Sequence, residues 1–247
     1  MHSSIFHFLP LTPLFFLGLV LLFGVLIALL QIGILGYAYE KIGISRRAAY
    51  TLLFLSLVGS YFNIPVAELP GGQAIVTKEV SDGWWRYQIP VVEQWSSTVL
   101  AVNVGGAVIP TLLSIYLVVK NQIYGEALVG VVAVAAVVHA LATPVPQMGI
   151  AVPIFIPPIV SALVAMFLSR EYAAPLAYVS GCMGTLVGAD LLNLGKLSQV
   201  GASIQSIGGA GTFDGVFLTG ILAVLLAGRP SVTRQTPDEP ATPSMYQ

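Results

Sequence analysis

Long apolar runs separated by short polar connections make up most of the chain. A helix that crosses a membrane needs about 20 mostly apolar residues and satisfies its backbone groups internally. By this criterion seven segments are predicted to span, with bounds at roughly 13–38, 48–64, 99–119, 125–143, 150–169, 173–193 and 212–228. We therefore expect an all-α polytopic membrane protein, with about seven transmembrane helices in a single domain over residues 1–228.

Two stretches depart from this pattern. Residues 65–98 are more polar, and within them 74–80 and 84–89 are strand-like and flank an Asp82-Gly83 pair, which favours a hairpin. We expect a small extracytoplasmic β-hairpin here. It either forms an interfacial aromatic belt or binds a membrane protein or peptide partner. Residues 229–247 contain four prolines and few apolar residues, which predicts a disordered cytoplasmic tail.

Composition narrows the class of protein. Hydrophobic residues make up 56% of the chain and charged residues only 9%, with a mean hydropathy of +0.88. A soluble domain carries roughly a quarter of its residues as charged side chains, so a soluble enzyme is excluded. Ten basic residues against eleven acidic ones leave no basic surplus for nucleic acid. Cys182 is the only cysteine, and no HExxH or CxxC motif occurs, so we expect no metal and no cofactor.

The basic residues predict the orientation in the membrane, because short cytoplasmic connections are enriched in Lys and Arg. We expect the N-terminus outside and the C-terminus in the cytoplasm of a cell (inner) membrane. The inward connections would then hold Lys41, Arg46, Arg47, Lys120, Arg170, Arg229 and Arg234. The outward connections would hold only Lys78, Arg86 and Lys196.

Ionisable groups in the membrane identify candidate functional residues. Each costs about 2.5–3.5 kcal/mol on insertion scales, so each requires a structural or functional reason. Three such groups lie within or at the ends of predicted helices, and three amides accompany them. With the predicted orientation, all six lie towards the outer side: Asn63, Asn103, His139, Asp190, Asn193 and Asp214.

Glycines surround both aspartates and favour close helix packing. Small residues form one face of each helix: Gly181, Gly184 and Gly188 on the sixth predicted helix, and Gly211, Gly215 and Thr219 on the seventh. We expect these helices to pack tightly and to bring Asp190 near Asp214. At about 100° per residue, Asp190 points away from Gly181 on an unbroken helix, so Asp190 requires either unwinding near Gly188 or a partner other than the seventh helix. The Gly105-Gly106 pair before Pro110 likewise predicts a broken start to the third helix.

Three stretches carry a family resemblance: TVLAVNVGGAVIP, GTLVGADLLNL and SIGGAGTFDGVFLTGILAVLLA. They resemble the signature blocks of a prokaryotic membrane family, domain of unknown function 1614, over residues 50–228. That resemblance implies a membrane protein and no established activity. The layout of two acids on consecutive helices, the second after a Gly-rich segment, is similar to intramembrane aspartyl proteases of the presenilin and prepilin-peptidase kind. This second resemblance implies catalytic roles for Asp190 and Asp214.

Three functions fit the pattern. Two close carboxylates tend to share a proton, so an aspartyl-dyad intramembrane hydrolase is the most specific hypothesis. The same acids are also suited to binding a cation or relaying a proton in a transporter. A non-catalytic membrane subunit or assembly factor, docking a partner through residues 65–98, is the third. The glycine faces also permit a homo-oligomer.

Overall fold

The computed structural model describes residues 13–31, 33–70, 73–82, 85–94, 97–145, 149–197, 204–209 and 215–228. The described α-helices are α1 (Pro13–Gln31), α2 (Ile34–Lys41), α3 (Arg46–Gly59), α4 (Ile109–Asn121), α5 (Tyr124–Leu141), α6 (Ile156–Leu168), α7 (Ala173–Thr185), α8 (Leu194–Leu197) and α9 (Gly215–Ala227). The described strands are β1 (Asn63–Pro70), β2 (Gln73–Asp82), β3 (Trp85–Gln94), β4 (Ser97–Asn103), β5 (Thr143–Val145), β6 (Gly149–Ala151) and β7 (Ile204–Ile207).

Helix α7 lies at the centre of the helical bundle. It packs against α4, α5, α6 and α9, and every residue in it except Met183 is buried. Its small residues explain this position, because they allow neighbouring helices to approach closely. A Cβ added at Gly184 would lie 2.6 Å from the Cβ of Val134 on α5. A Cβ added at Gly220 of α9 would overlap the Cys182 sulfur of α7.

A small mixed sheet joins distant parts of the chain. Strand β1 pairs antiparallel with β4, with Asn63 opposite Asn103, and β4 pairs parallel with β7, with Val102 opposite Ile207. Strand β7 thus returns to the sheet after helices α4 to α8. Separately, β2 pairs antiparallel with β3, and β5 pairs antiparallel with β6.

The chain is mostly helical, but the described residues also contain the β1–β4–β7 and β5–β6 sheets, which a helical bundle with one hairpin does not include. Strand β4 takes residues that we assigned to the start of the third span, and β6 takes the start of the fifth. A short apolar run has the same composition in a buried strand as in a helix, so hydropathy alone does not separate them. The first predicted span is divided near Gly33, which has a φ of 88°.

Three helical stretches in the described part of the chain are long and apolar enough to cross a membrane. They are Val104–Asn121, Tyr124–Leu141 and Ala173–Lys196. Four shorter apolar helices accompany them, at Leu17–Leu29, Arg47–Gly59, Ile156–Leu168 and Gly215–Ala227. Their length and composition are consistent with a membrane protein, and in the described residues three of the seven predicted spans have helices of full length. The predicted tail, residues 229–247, lies outside the described residues.

Candidate functional site

Two of the long apolar stretches leave α-helical geometry through a π-helical turn. We name Val104–Val108, which leads into α4, the entry π turn, and Leu186–Asp190, which follows α7, the exit π turn. Their sequences, VGGAV and LVGAD, contain the glycines that loosen helical geometry. A 3₁₀ turn, Leu191–Asn193, follows the exit π turn. Single π turns within helices are rare and occur frequently at functional sites.

Asn103 holds the entry π turn against the sheet. Its Oδ1 accepts the N–H of Gly106 at 2.8 Å, which caps the turn. Its Nδ2 donates to the carbonyl oxygen of Ser60 at 2.9 Å and to Oδ1 of Asn63 at 3.1 Å. The hydroxyl of Ser206 on β7 donates to the same Asn63 oxygen. Because buried amides need partners, this network fixes β1, β4, β7 and the entry π turn to one another.

The entry π turn also lies directly against α3. A Cβ added at Gly105 would overlap the carbonyl oxygen of Ser56 and lie 2.5 Å from the backbone nitrogen of Ser60. The Ser56 hydroxyl donates to the carbonyl oxygen of Gly105 at 2.7 Å. Glycine at this position is therefore required for the backbone contact between α3 and the turn.

Asp190 ends the exit π turn and binds the segment after β7. Its Oδ2 accepts the backbone N–H of Gly208 at 2.7 Å. Gly208 has a φ of 75°, and a Cβ there would lie 2.7 Å from the backbone nitrogen of Ala107 in the entry π turn. One glycine thus contacts both π turns, through a hydrogen bond to one and a backbone contact with the other. The two irregular ends of α4 and α7 meet at this point.

Asn193 lies three residues beyond Asp190. Its Nδ2 donates to the carbonyl oxygens of Gly188 at 2.9 Å and Ala189 at 3.0 Å, which lie at the change from π to 3₁₀ geometry. The side chain is only 1% exposed, and its Oδ1 has no hydrogen-bond partner among the described residues. The amide therefore stabilises the turn with one end and leaves a buried acceptor at the other.

His139 and Gln205 carry further buried atoms at this end of the bundle. Nδ1 of His139 on α5 and Nε2 of Gln205 on β7 have no partner in the described part of the chain. Helix α5 packs against the exit π turn, where a Cβ at Gly188 would lie 2.5 Å from the carbonyl oxygen of Ala135. The structure thus places His139 on the helix beside Asp190, without a contact between the two side chains.

The predicted site residues are brought together in two groups rather than one. Asn63 and Asn103 are hydrogen bonded to each other beside the entry π turn, whereas Asp190 ends the exit π turn and Asn193 ends the 3₁₀ turn that follows it. The segment of β7 and Gly208 joins the two groups. Asp214 lies outside the described residues, so its separation from Asp190 stays a prediction.

The predicted glycine face packs against three helices. Gly181 of α7 meets Ser161 of α6 and Thr219 of α9, the second in agreement with the expected contact, but Gly184 and Gly188 pack against α5. Sequence reasoning missed Ser206 and Gly208. The sequence feature that could have identified them is the strand-like IQSI run followed by a Gly-Gly pair, which is typical of a strand that ends in a turn.

Comparisons with known proteins give one match. A family model described as "Protein of unknown function (DUF1614)" matches residues 57–226. No curated protein matches the chain, and no solved structure matches it.

Proposed function

The chain belongs to the DUF1614 family, and we propose that it is an ion- or proton-coupled membrane transport protein in which Asp190 binds the coupling ion. The observation that carries this proposal is the hydrogen bond from Gly208 to Asp190, at the point where the two π turns meet. Non-helical backbone at membrane depth is tolerated where it is buried in protein or lines a cavity. Interrupted helices of this kind form the ion sites of many secondary transporters.

The surroundings of Asp190 support the proposal. Asp190 is half-buried. In the described part of the chain its partner is a backbone N–H, and no basic side chain forms an ion pair with it. A carboxylate without a basic partner in an apolar helix is costly. Binding and releasing a positive ion gives such a group a function.

Transport of Na⁺ or H⁺ into proteoliposomes tests the proposal. The Asp190→Asn variant keeps an oxygen that accepts the Gly208 N–H and removes the charge, so we expect flux to fall to that of empty vesicles. The matched control is Glu126→Gln, because Glu126 is an exposed acid in the first turn of α5. Flux that is the same in Asp190→Asn and in the unchanged chain would contradict the proposal.

An aspartyl-dyad intramembrane hydrolase is the second candidate, and a specific contact favours it. Gly208 is hydrogen bonded to Asp190, and Asp214 follows it by six residues. Two carboxylates held close together share a proton and can activate water.

Cleavage of membrane peptides by the purified chain tests this second candidate. We expect Asp190→Ala and Asp214→Ala each to abolish cleavage, because a dyad requires both carboxylates. Glu126→Gln is again the control, and it should cleave normally. Cleavage that persists in both alanine variants would exclude the dyad.

We also propose the N-out, C-in orientation in the cell membrane, on the distribution of basic residues. Cys182 is the only cysteine, so a Cys182→Ala background accepts single reporter cysteines. On intact cells, an impermeant maleimide should label Glu68→Cys and should leave Glu171→Cys unlabelled until the membrane is opened. The reverse pattern would overturn the orientation.

A further inference from the structure

The Oδ1 atom of Asn193 is a buried acceptor that faces no donor among the described residues. The orientation of the amide is determined by its other end, because Nδ2 contacts two backbone carbonyl oxygens, which only accept hydrogen bonds. Oδ1 therefore faces away from those carbonyls, on a side chain that is 1% exposed. A buried acceptor left unpaired costs free energy, so its environment favours a donor or a cation.

Asp190 precedes this acceptor by three residues in the chain. It is the residue immediately before the 3₁₀ turn Leu191–Asn193, and positions three residues apart in such a turn lie on the same face. The Asn193 side chain also runs back along the exit π turn to Gly188 and Ala189, the residues just before Asp190. The spacing therefore places the two residues, one with a carboxylate and one with a neutral amide oxygen, on the same face of the turn.

We propose that Asp190 and Oδ1 of Asn193 bind a monovalent metal cation of the Na⁺ class. The proposal rests on the proposed transport function, since it identifies the coupling ion of the same site. Both ligands are oxygens, which suit hard cations. The hydrogen bond from Gly208 holds the carboxylate in position through Oδ2.

The charge of the site favours a monovalent ion over a divalent one. Asp190 supplies one negative charge, which neutralises one positive charge in an apolar stretch of the chain. A divalent ion would leave a net positive charge there, at a high cost. Calcium also takes six to eight oxygen ligands, usually including several carboxylates.

Thermal unfolding of the purified full chain in detergent tests the site without a transport assay. A ligand that binds only the folded state stabilises it by an amount that grows with the logarithm of the ligand concentration above the dissociation constant. We expect NaCl to raise the melting temperature above that in choline chloride at equal ionic strength, by a difference that increases with the logarithm of the Na⁺ concentration. Asp190→Asn should abolish this shift, and Glu126→Gln should retain it. Equal melting temperatures in both salts, or a shift that persists in Asp190→Asn, would overturn the proposal.

The role of Asn193 is tested by the Na⁺ concentration at which the melting temperature begins to rise, because that concentration reports the dissociation constant. We expect Asn193→Ala to raise it at least tenfold, and an unchanged onset would overturn the assignment of Oδ1 as a ligand. Where Asn193→Ala gives no folded protein, Asp190→Asn decides the proposal, because that variant keeps the acceptor for Gly208.

The two proposals fail in different ways. Proton flux that depends on Asp190, with no effect of Na⁺ on melting, would overturn the cation site and leave the transport function standing. Stabilisation by Na⁺ that depends on Asp190, with no flux in proteoliposomes, would retain the site and remove the transport function.

Discussion

Replacing Gly105 by alanine adds one methyl group where α3 and the entry π turn are in backbone contact. The new Cβ would overlap the carbonyl oxygen of Ser56 and lie 2.5 Å from the Ser60 nitrogen. Both of these are backbone atoms, which cannot rotate away as the end of a flexible side chain does. We therefore expect the entry π turn to be pushed away from α3.

The expected cost follows from what this movement disrupts. Inserting a methyl group into a packed core costs about 1–3 kcal/mol. The movement also lengthens the hydrogen bond from the Ser56 hydroxyl to Gly105, at 2.7 Å, and the one from Asn103 to the Ser60 carbonyl oxygen, at 2.9 Å. Each contributes about 1 kcal/mol, so the free energy of unfolding should fall by about 3–5 kcal/mol. For a chain of this size, such a loss lowers the melting temperature by about 10 °C.

Thermal unfolding of the purified variant in detergent measures this loss. Gly125→Ala is the matched control, because a Cβ at this helical glycine of α5 meets nothing within 4 Å. Alanine in a helix is favoured over glycine by about 0.5–1 kcal/mol, so the control should melt at or slightly above the temperature of the unchanged chain. If Gly105→Ala melts together with Gly125→Ala, the close contact between α3 and the entry π turn is wrong.

Three further substitutions have expected effects on the melting temperature in the same assay. Asn103→Ala removes three hydrogen bonds and should cost about 3 kcal/mol, and a fall of less than about 2 °C would contradict the entry network. Gly208→Ala should lower the free energy of unfolding by about 2–4 kcal/mol, because the φ of Gly208 is 75° and the added Cβ would lie 2.7 Å from the Ala107 nitrogen. An unchanged melting temperature would show that the two π turns do not meet there. Gly184→Ala, whose Cβ would lie 2.6 Å from that of Val134, should cost about 1–3 kcal/mol, and a more stable variant would refute the contact between α5 and α7.

The position of the helix breaks could be predicted from local sequence. The Gly105-Gly106 pair before Pro110 indicated an irregular start to α4, and the structure has a π turn at Val104–Val108. The wheel argument required unwinding near Gly188 for Asp190 to change face, and a π turn lies at Leu186–Asp190. Both helix breaks depend on residues within one or two helical turns, so short segments of the sequence are enough to predict them.

The partners of the site residues could not be predicted in the same way. Asn63 and Ser206 are 143 residues apart in the chain, yet they share a hydrogen bond because β4 pairs with both β1 and β7. The β4 run was interpreted as helix because its apolar composition is shared by buried strands and helices. Once that strand was missed, the partnership of β7 with the sheet could not be inferred, and neither could the contact of Gly208 with Asp190.

The sequence by itself determined that the chain is a membrane protein, since 56% hydrophobic and 9% charged residues cannot cover a soluble surface. It also singled out Asp190, because a charge in an apolar stretch is costly and therefore conspicuous. Only the tertiary structure decided what Asp190 contacts. Its hydrogen bond to Gly208 spans 18 residues of sequence and depends on the parallel pairing of β7 with β4. Contacts of this kind arise from packing of distant segments, which no local pattern of hydrophobic and polar residues encodes.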